Sequence, residues 1–325
     1  MTFPTTRREF LQAGIGAMAV GCAAAWEAAA LAVDDAPLAI VDTHTHFYDP
    51  TRPEGVPWPG KDDKSLYRRV LPADYQKFAK PLGVVGTVVV EASSWVEDNQ
   101  WVLDLCEQDP FVLGLVGNLA PGKTDFAQHL ARFAKNKFFR GIRINAGPLK
   151  AGLDNPEYVA DLQRLSEADL ELDVNGGPEL LSLVDRLAAK LPDLRIAINH
   201  LANVKIDGPQ LDESWLAGLT AAARHKQMFL KVSALVEGAS RDGKQAPRDP
   251  SYYVPVLTAA WNAFGDDRVI YGSNWPVSER FADYATVQKI TIEYARSRGA
   301  TALKQFCLEN ARSAYKWPER PIVKS

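Results

Sequence analysis

The sequence predicts an α/β protein folded as a (β/α)₈ TIM barrel, and three observations support that prediction. Short runs of apolar, β-branched residues alternate with helical patterns along the chain. Eight such strand–helix units follow one another, and 325 residues are enough for a barrel of that size. No Gly-x-Gly-x-x-Gly pattern follows the first strand and no phosphate-binding loop occurs, which disfavours an open nucleotide-binding sheet.

The eight strands are predicted at 39–42, 86–91, 112–118, 140–145, 170–175, 195–200, 229–233 and 269–272. Runs such as VGTVVVEA and RIAINH are apolar on both faces, which is typical of parallel strands covered by helices on one side. Helical patterns lie between them, at 72–78, 99–108, 126–135, 158–168, 179–190, 212–224, 254–264 and 285–298. This alternation predicts a parallel sheet with right-handed crossovers.

Composition excludes several classes of protein. The chain is 46% hydrophobic and 24% charged, which are ordinary values for a globular protein. Its 37 basic and 40 acidic residues give a net charge of −3, so we expect no nucleic acid partner. Three cysteines are too few for a disulfide scaffold and lack zinc-finger spacing, and we expect Cys106 and Cys307 to be buried free thiols.

The first 32 residues have the pattern of a twin-arginine export signal. Arg7 and Arg8 precede an apolar stretch, which ends in the small-x-small cleavage pattern Ala-Leu-Ala at 30–32. The stretch is short and rich in Gly and Ala, which disfavours a permanent membrane span. We therefore expect the barrel to occupy 33–325 and the mature protein to be periplasmic or extracellular. Lipidation at Cys22, which follows Ala-Val-Gly, is an alternative.

Chemistry in such barrels lies at the carboxyl ends of the strands, so polar residues at those ends are the candidates for a site. Strands alternate faces, which places Asp42, His44 and His46 on one face and His200 on the face of Ile196 and Ile198. Further candidates at strand ends are Glu91, Arg143, Asn175, Asn274 and Trp275.

Packing alone does not explain two histidines on one face at a barrel mouth, because a buried imidazole needs a polar partner. We therefore expect His44 and His46 to meet His200 in a site. The other two histidines, His129 and His225, lie in helical or post-helical sequence and are expected to be solvated.

Four motifs together resemble the amidohydrolase superfamily, most closely its metal-independent lactonase branch of sugar lactonases and pyrone-dicarboxylate lactonase. In chain order they are DTHTHFYDP at 42–50, Gly-Ile-Arg at 141–143, Asn-His-Leu at 199–201 and Gly-Ser-Asn-Trp-Pro-Val at 272–277. The resemblance implies a barrel hydrolase in which water attacks a lactone carbonyl. Carried over, His44, His46 and His200 would surround the carbonyl oxygen, and Arg143 would bind an anionic group.

The chain departs from this family at the end of the eighth strand. The family has an aspartate there as general base, where this chain has Asn274, and an amide cannot accept a proton from water at neutral pH. Glu91 is a candidate substitute, although a salt bridge or cap at the barrel rim explains it equally well. The histidines are also candidates, since an imidazole has a pKa near neutrality.

Zinc is the second point on which relatives differ. His44, His46 and His200 are enough for a catalytic zinc, which takes three protein ligands. The fifth strand, however, ends in Asn175 rather than histidine, and Asn274 is a neutral, poor ligand. We therefore expect no metal cofactor, with zinc as the alternative.

Three functions follow from these residues. The favoured one is a hydrolase of a lactone or similar cyclic ester, with a small anionic or sugar-derived substrate. The others are an inactive binding relative without the base, and a zinc-dependent decarboxylase or amidohydrolase. Trp58, Trp95 and Trp275 are candidates for stacking on a ring, and polar segments at 53–63 and 241–248 are candidate lids.

Overall fold

The computed structural model describes residues 38–240 and 245–320, and within them eight parallel strands form one sheet in chain order. The strands are β1 (Ile40–Thr45), β2 (Val84–Val90), β3 (Val112–Gly117), β4 (Phe139–Asn145), β5 (Glu171–Asn175), β6 (Ile196–Ile198), β7 (Met228–Val232) and β8 (Val269–Tyr271). The two edges meet where Thr45 pairs in parallel with Trp275. At the same place the backbone N–H of Asn274 donates to the backbone carbonyl of His44 at 2.9 Å. The predicted (β/α)₈ barrel is confirmed.

Helices connect the strands and cover the outside of the sheet. They are α1 (Pro72–Ala79), α2 (Asp98–Gln108), α3 (Phe126–Phe133), α4 (Ala146–Gly152), α5 (Pro156–Glu167), α6 (Leu180–Lys190), α7 (Glu213–Ala222), α8 (Leu235–Ala239), α9 (Val254–Phe264), α10 (Tyr284–Ser297), α11 (Ala300–Lys304) and α12 (Asn310–Tyr315). Asp212 and Asp283 cap α7 and α10 by accepting hydrogen bonds from backbone N–H groups of the first turn. The short helices α4, α8, α11 and α12 were not predicted, because each is too brief to show a helical period.

The last helix closes one end of the barrel. Arg140 and Arg195, at the beginnings of β4 and β6, donate through Nε to the carbonyls of Tyr315 and Ala314 in α12. Apolar side chains beneath this helix form a smaller core inside the barrel, while a larger core lies between sheet and helices. The carboxyl ends of the strands lie at the opposite end of the barrel, which we call the mouth.

Several sequence predictions concern residues outside this fold description. The export signal at 1–32, Cys22 and residues 241–244 of the candidate lid lie outside the described residues. No helix within the described residues is long and apolar enough to cross a membrane. Cys106 and Cys307 are buried free thiols, as predicted.

Candidate active site

Strand β1 carries two histidines to the mouth through an irregularity in its pairing. Asp42 and Thr45 are three residues apart, but their partners on β2 are only two apart, so β1 contains one extra residue at this step. An extra residue breaks the alternation of side chains. The Asp42 carboxylate accepts a hydrogen bond from Tyr75 of α1 at 2.7 Å, on the helix side of the sheet, and the extra residue that follows lets His44 face the mouth instead. The prediction that Asp42 shares a face with His44 and His46 was wrong for Asp42.

The three predicted histidines come together at the mouth. The ring of His44 lies with its centroid 5.0 Å from that of His46 and 4.3 Å from that of His200. All three side chains are buried. Because they come from β1 and from the turn after β6, the fold brings together residues more than 150 positions apart in the chain. The central spatial prediction from the sequence is confirmed.

His200 reaches the mouth through backbone geometry rather than through strand alternation. Ile196 and Ile198 pack in the core between sheet and helices, so His200 does not continue their face. The turn His200–Asn203 has positive φ throughout, with φ 57° at His200, and this redirects the side chain. Non-glycine residues adopt this region rarely and at an energetic cost, and such residues concentrate at functional sites.

Lys231 of β7 determines which ring nitrogen of His44 carries the hydrogen. Its Nζ donates to the His44 Nδ1 at 3.3 Å, so Nδ1 accepts and the hydrogen of the neutral ring lies on Nε2. Burial, together with the nearby His200 and Lys231, holds the pKa of His44 well below its usual value, which keeps the ring neutral. The His44 Nε2 is buried and has no hydrogen-bond partner among the described residues.

The other two imidazoles are also held by neighbours. His46 Nδ1 lies 2.9 Å from the carbonyl of Val90, which can only accept, so Nδ1 donates. Burial is the main cause that lowers the pKa of His46 to about 4, with the nearby Arg143 adding to it. The His200 Nδ1 lies 2.7 Å from the Ser233 hydroxyl, and burial lowers its pKa well below the usual value.

Asn274 lies between His46 and a carboxyl that the sequence analysis missed. The Asn274 Oδ1 is 3.2 Å from His46 Nε2, and its Nδ2 donates to Glu237 Oε1 at 2.8 Å. Glu237 belongs to α8, its Oε2 is buried without a partner, and burial raises its pKa to about 7. The only sequence signal was a single acid in the otherwise apolar run ALVEGA, which indicates an acid in a short helix just after a strand.

Arg143 and Glu91 form an ion pair at the mouth. The Arg143 Nε donates to Glu91 Oε1 at 2.8 Å, and another guanidinium nitrogen donates to the Glu91 carbonyl at 3.1 Å. Their side chains are 16% and 15% exposed. Burial raises the pKa of Glu91, and the neighbouring guanidinium opposes that shift. Of the two roles considered for Glu91, the structure contains the salt bridge.

A cavity of about 310 Å³ opens beside these groups. Its lining residues are His46, Trp58, Glu91, Ala92, Arg143, Asn274 and Val277. Four of the predicted site residues therefore share one cavity. His44 and His200 are not among its lining residues: His44 packs against His46, and His200 packs against His44. The Trp58 ring belongs to this wall, with its centroid 6.0 Å from that of His46.

Two of the predicted aromatic residues do not line the cavity. Trp275 is 1% exposed and packs between the rings of Phe47 and Tyr75, while its Nε1 donates to Glu279. Trp275, predicted to contact substrate, does not line the cavity, because the residue after Asn274 faces the helices rather than the mouth. Trp95 is 41% exposed and is also absent from the lining.

Asn175 also lies outside the cavity. Its side chain donates to Asn145 at 3.1 Å and accepts from Asn203 at 3.0 Å, so it joins β4 and β5 to the turn that carries His200. Asn175, predicted to bind substrate, therefore supports the turn that carries His200 and does not line the cavity.

The barrel interior beneath the histidines holds an ion pair that the sequence analysis also missed. Lys231 donates to Asp173 at 2.7 Å, and both side chains are 0% exposed. Tyr315 donates to the other Asp173 oxygen at 2.9 Å. A lysine inside the apolar run MFLKV was the available signal, since lysine is almost never fully buried unless it is paired.

The donor set at the mouth does not match a zinc site. Among residues 38–240 and 245–320, no three His, Cys, Asp or Glu side chains are arranged to hold a metal ion. His44 Nδ1 faces the Lys231 ammonium group, and the neutral Asn274 amide lies 3.2 Å from His46 Nε2. A cation would have to displace both contacts.

Comparison with known proteins places this geometry in a family. The amidohydrolase family model matches residues 41–317. An L-fucono-1,5-lactonase from Burkholderia ambifaria is 30% identical over 250 residues, covering 75% of this chain and 83% of the relative. A crystal structure of an amidohydrolase from Burkholderia multivorans with bound zinc superimposes with a TM-score of 0.78 at 23% identity, covering 86% of this chain and 99% of the other. A putative 2-pyrone-4,6-dicarboxylic acid hydrolase from Pseudomonas putida superimposes with a TM-score of 0.70 at 19% identity, covering 87% and 99%.

Proposed function

The chain belongs to the amidohydrolase family, and we propose that this hydrolase opens the ring of a small, uncharged sugar lactone by attack of water on the lactone carbonyl. The observation that carries the proposal is the unpartnered Nε2–H of His44 within the imidazole cluster. A buried donor without a partner is costly, and a substrate carbonyl oxygen that enters the cluster removes that cost.

The imidazoles suit the charge that develops during attack. The carbonyl oxygen becomes an oxyanion as water adds, and donors already in place stabilise it without reorganisation. His44 donates from Nε2, because the contact with Lys231 holds its hydrogen there. The positive charge of Lys231, relayed through the His44 ring, adds to the stabilisation.

The ion pair at the mouth favours a polyhydroxy substrate over a dicarboxylate. Arg143 is already matched by Glu91, so the pair presents both acceptors and donors with little net charge. Sugar hydroxyls donate and accept, whereas a second carboxylate would be repelled by Glu91. Trp58 supplies a ring face beside the pair. A volume of about 310 Å³ suits one small ring, and the name of the Burkholderia ambifaria relative indicates the same substrate class.

We further propose that the reaction needs no metal. The donor set supports this view, because the Lys231 ammonium holds the His44 hydrogen on Nε2, so that nitrogen has no lone pair to offer a cation. The Burkholderia multivorans structure contains bound zinc, so the absence of a metal requirement in this chain has to be tested by experiment. Metal analysis of protein purified without chelators, followed by assays with a chelator and with added zinc, decides it. Stoichiometric zinc and loss of activity with the chelator would contradict this part of the proposal.

The direct test measures acid release from a panel of sugar 1,5-lactones and 2-pyrone-4,6-dicarboxylate. We expect turnover of the sugar lactones well above that of His44→Phe, which corrects for spontaneous hydrolysis. A protein that binds these lactones but hydrolyses them only as the Asn274→Asp variant would instead be the binding relative. Turnover of the dicarboxylate alone would contradict the proposed substrate class.

A further inference from the structure

The eighth strand ends in an amide where the reaction needs a proton acceptor. We propose that Glu237 replaces the missing acid by acting through the side chain of Asn274, so that His46 Nε2 accepts the proton of the attacking water. This inference rests on the proposed function. Within it, His46 is the catalytic residue, whereas Asn274 and Glu237 are positioning residues.

The hydrogen-bond donors and acceptors of His46, Asn274 and Glu237 do not match when His46 is neutral and Glu237 is ionised. His46 Nδ1 donates to the Val90 carbonyl, so the Nε2 of a neutral ring only accepts. That Nε2 nevertheless lies 3.2 Å from the Asn274 oxygen, which also only accepts. These two atoms form a hydrogen bond only when Nε2 takes up a proton or when the amide turns.

The amide has two arrangements, which differ in the protonation state of Glu237. When Glu237 is protonated, the amide turns so that Asn274 Nδ2 donates to His46 Nε2 and Oδ1 accepts from the Glu237 hydroxyl. The lone pair of His46 is then occupied. When Glu237 is ionised, Nδ2 donates to Glu237 at 2.8 Å and Oδ1 faces the lone pair of the neutral His46 Nε2, so that this contact becomes a hydrogen bond when Nε2 takes the proton of the attacking water.

The surroundings of Glu237 set the pH at which this change occurs. Its carboxyl is buried, its Oε2 has no partner, and its pKa is raised to about 7. The titratable group that faces it from the neighbouring 3₁₀ turn is Tyr253. Burial raises the pKa of Tyr253 above its usual value, so its hydroxyl stays neutral near pH 7. His46 is faced by Arg143 and by Lys231, and both oppose its protonation. The negative charge of Glu237, acting through the side-chain amide of Asn274, opposes this effect and favours a proton on His46.

The fold holds Glu237 against the mouth by close backbone approach. A Cβ on Gly238 would lie 2.9 Å from the carbonyl of Val204, in the segment after the His200 turn. The residue before α8, Ala234, has a φ of 53°, which turns the chain sharply after β7. Glycine at 238 therefore lets α8 pack close enough for Glu237 to reach Asn274.

The step balances without any other reactant. The water oxygen bonds to the carbonyl carbon while one water proton passes to His46 Nε2, and the carbonyl electron pair moves to oxygen near His44. The new His46 N–H donates to Asn274 Oδ1, and Asn274 Nδ2 holds the Glu237 carboxylate. When the intermediate collapses, the bond from carbon to ring oxygen breaks and the ring oxygen takes the proton from His46, which leaves a hydroxy acid.

The test compares pH profiles of kcat/KM for the wild type, Glu237→Gln, Asn274→Asp and the double variant, on a lactone that the wild type hydrolyses. We expect wild-type activity to rise through about pH 7, since the active form carries ionised Glu237. Glu237→Gln keeps an acceptor for Asn274 but no charge, so kcat falls ~10²-fold with KM unchanged, and the rise near neutrality disappears. Glu293→Gln, on the exposed face of α10, is the control for loss of one carboxylate.

The double variant separates the chemical role from a structural one. With Glu237→Gln present, Asn274→Asp places a carboxylate directly beside His46, and activity returns to within about tenfold of the wild type. Glu237→Gln with unchanged kcat and an unchanged pH profile would overturn the inference. So would a double variant no more active than Glu237→Gln, provided that both unfold at the wild-type temperature.

If no lactone is hydrolysed, the proposed function is contradicted. A spectroscopic measurement then tests the further inference separately. Infrared difference spectra then test the state of Glu237, as a protonated carboxyl band that disappears as the pH rises through about 7 in the wild type and is absent in Glu237→Gln. If the wild type lacks the band, the link between Glu237 and Asn274 is overturned independently of activity.

Discussion

Two polar clusters share the inside of the barrel, and they differ in backbone geometry and in access to a cavity. The interior cluster consists of Glu171, Asp173, Lys231 and Tyr315. The mouth cluster consists of His44, His46, His200, Asn274 and Glu237. They touch where Lys231 donates to His44.

The interior cluster is built around a buried ion pair. Asp173 accepts from both Lys231 and Tyr315, whereas Glu171 accepts from the Ala197 N–H through Oε1 and its Oε2 has no hydrogen-bond partner among the described residues. Burial and the adjacent Asp173 raise the pKa of Glu171 well above its usual value. Every one of these side chains is fully buried. Charges paired in this way stabilise the barrel only as long as each partner remains.

The mouth cluster is left incomplete. Among the described residues His44 Nε2 and Glu237 Oε2 have no hydrogen-bond partner, and His200 and Asn274 have φ values of 57° and 61°. Unpaired buried atoms and left-handed backbone both cost free energy; the interior cluster has one such atom, Glu171 Oε2, but none of its four residues has a positive φ. The left-handed residues, and the cavity that His46 and Asn274 line, identify the mouth rather than the interior as the place where a substrate completes the hydrogen bonds.

We expect the largest effect, a loss of stability, when a substitution breaks the interior cluster. Lys231→Met leaves Asp173 buried without its counter-charge, and we expect the free energy of unfolding to fall by about 3–5 kcal/mol. Urea denaturation measures it. Lys231→Met with Asp173→Asn removes both charges and is expected to recover most of the loss. A single variant that loses less than about 1 kcal/mol would show that the pair behaves as a surface salt bridge.

The next effect concerns the mouth and changes activity without stability. His44→Phe keeps a ring of similar size but removes the donor at Nε2, and we expect kcat to fall by about 10²–10³-fold. Steady-state kinetics and thermal unfolding are measured together. His129→Phe, on the partly exposed face of α3, is the matched control. Full activity in His44→Phe would mean that its unpaired Nε2 has no role in the reaction.

The sequence predicted the barrel and most of the mouth for one physical reason. In a closed parallel sheet every strand delivers its carboxyl end to the same side, so His44, His46, Arg143, His200 and Asn274 had to meet once the strands were assigned. That argument needs only the order and direction of strands, both of which follow from apolar runs and crossover length.

The failures occurred where local backbone geometry overrides strand alternation. The extra residue after Asp42 in β1 placed His44 on the opposite face from Asp42, and positive φ at His200 carried that side chain off the face of Ile196. Glu237 was missed because it lies in a short helix after β7 rather than at a strand end, and Lys231 because a pattern of apolar residues does not reveal its partner Asp173. Bulges and left-handed turns depend on tertiary packing, which no residue pattern records.

A smaller effect tests the close packing between the two clusters. A Cβ on Gly272 of the β8 end would lie 2.9 Å from the Cβ of His44, so Gly272→Ala must displace that histidine from Lys231. We expect a loss of about 1–3 kcal/mol, as for overpacking elsewhere, with reduced kcat. Gly60→Ala is the control, because a Cβ there meets no atom within 4 Å. Unchanged stability and activity would show that β8 shifts without disturbing His44.

The smallest expected effect sharpens the assignment of substrate class at the mouth. Glu91→Gln removes the charge that matches Arg143, so the guanidinium becomes available to an anion. We expect KM for a sugar lactone to rise about tenfold, or roughly 1.4 kcal/mol, while KM for a dicarboxylate lactone falls. Glu97→Gln breaks an exposed ion pair with Arg132 and should leave both values unchanged. If Glu91→Gln instead abolished kcat for every lactone and left KM unaltered, Glu91 would be acting on the proton of water, and the pairing with Arg143 would be secondary to that role.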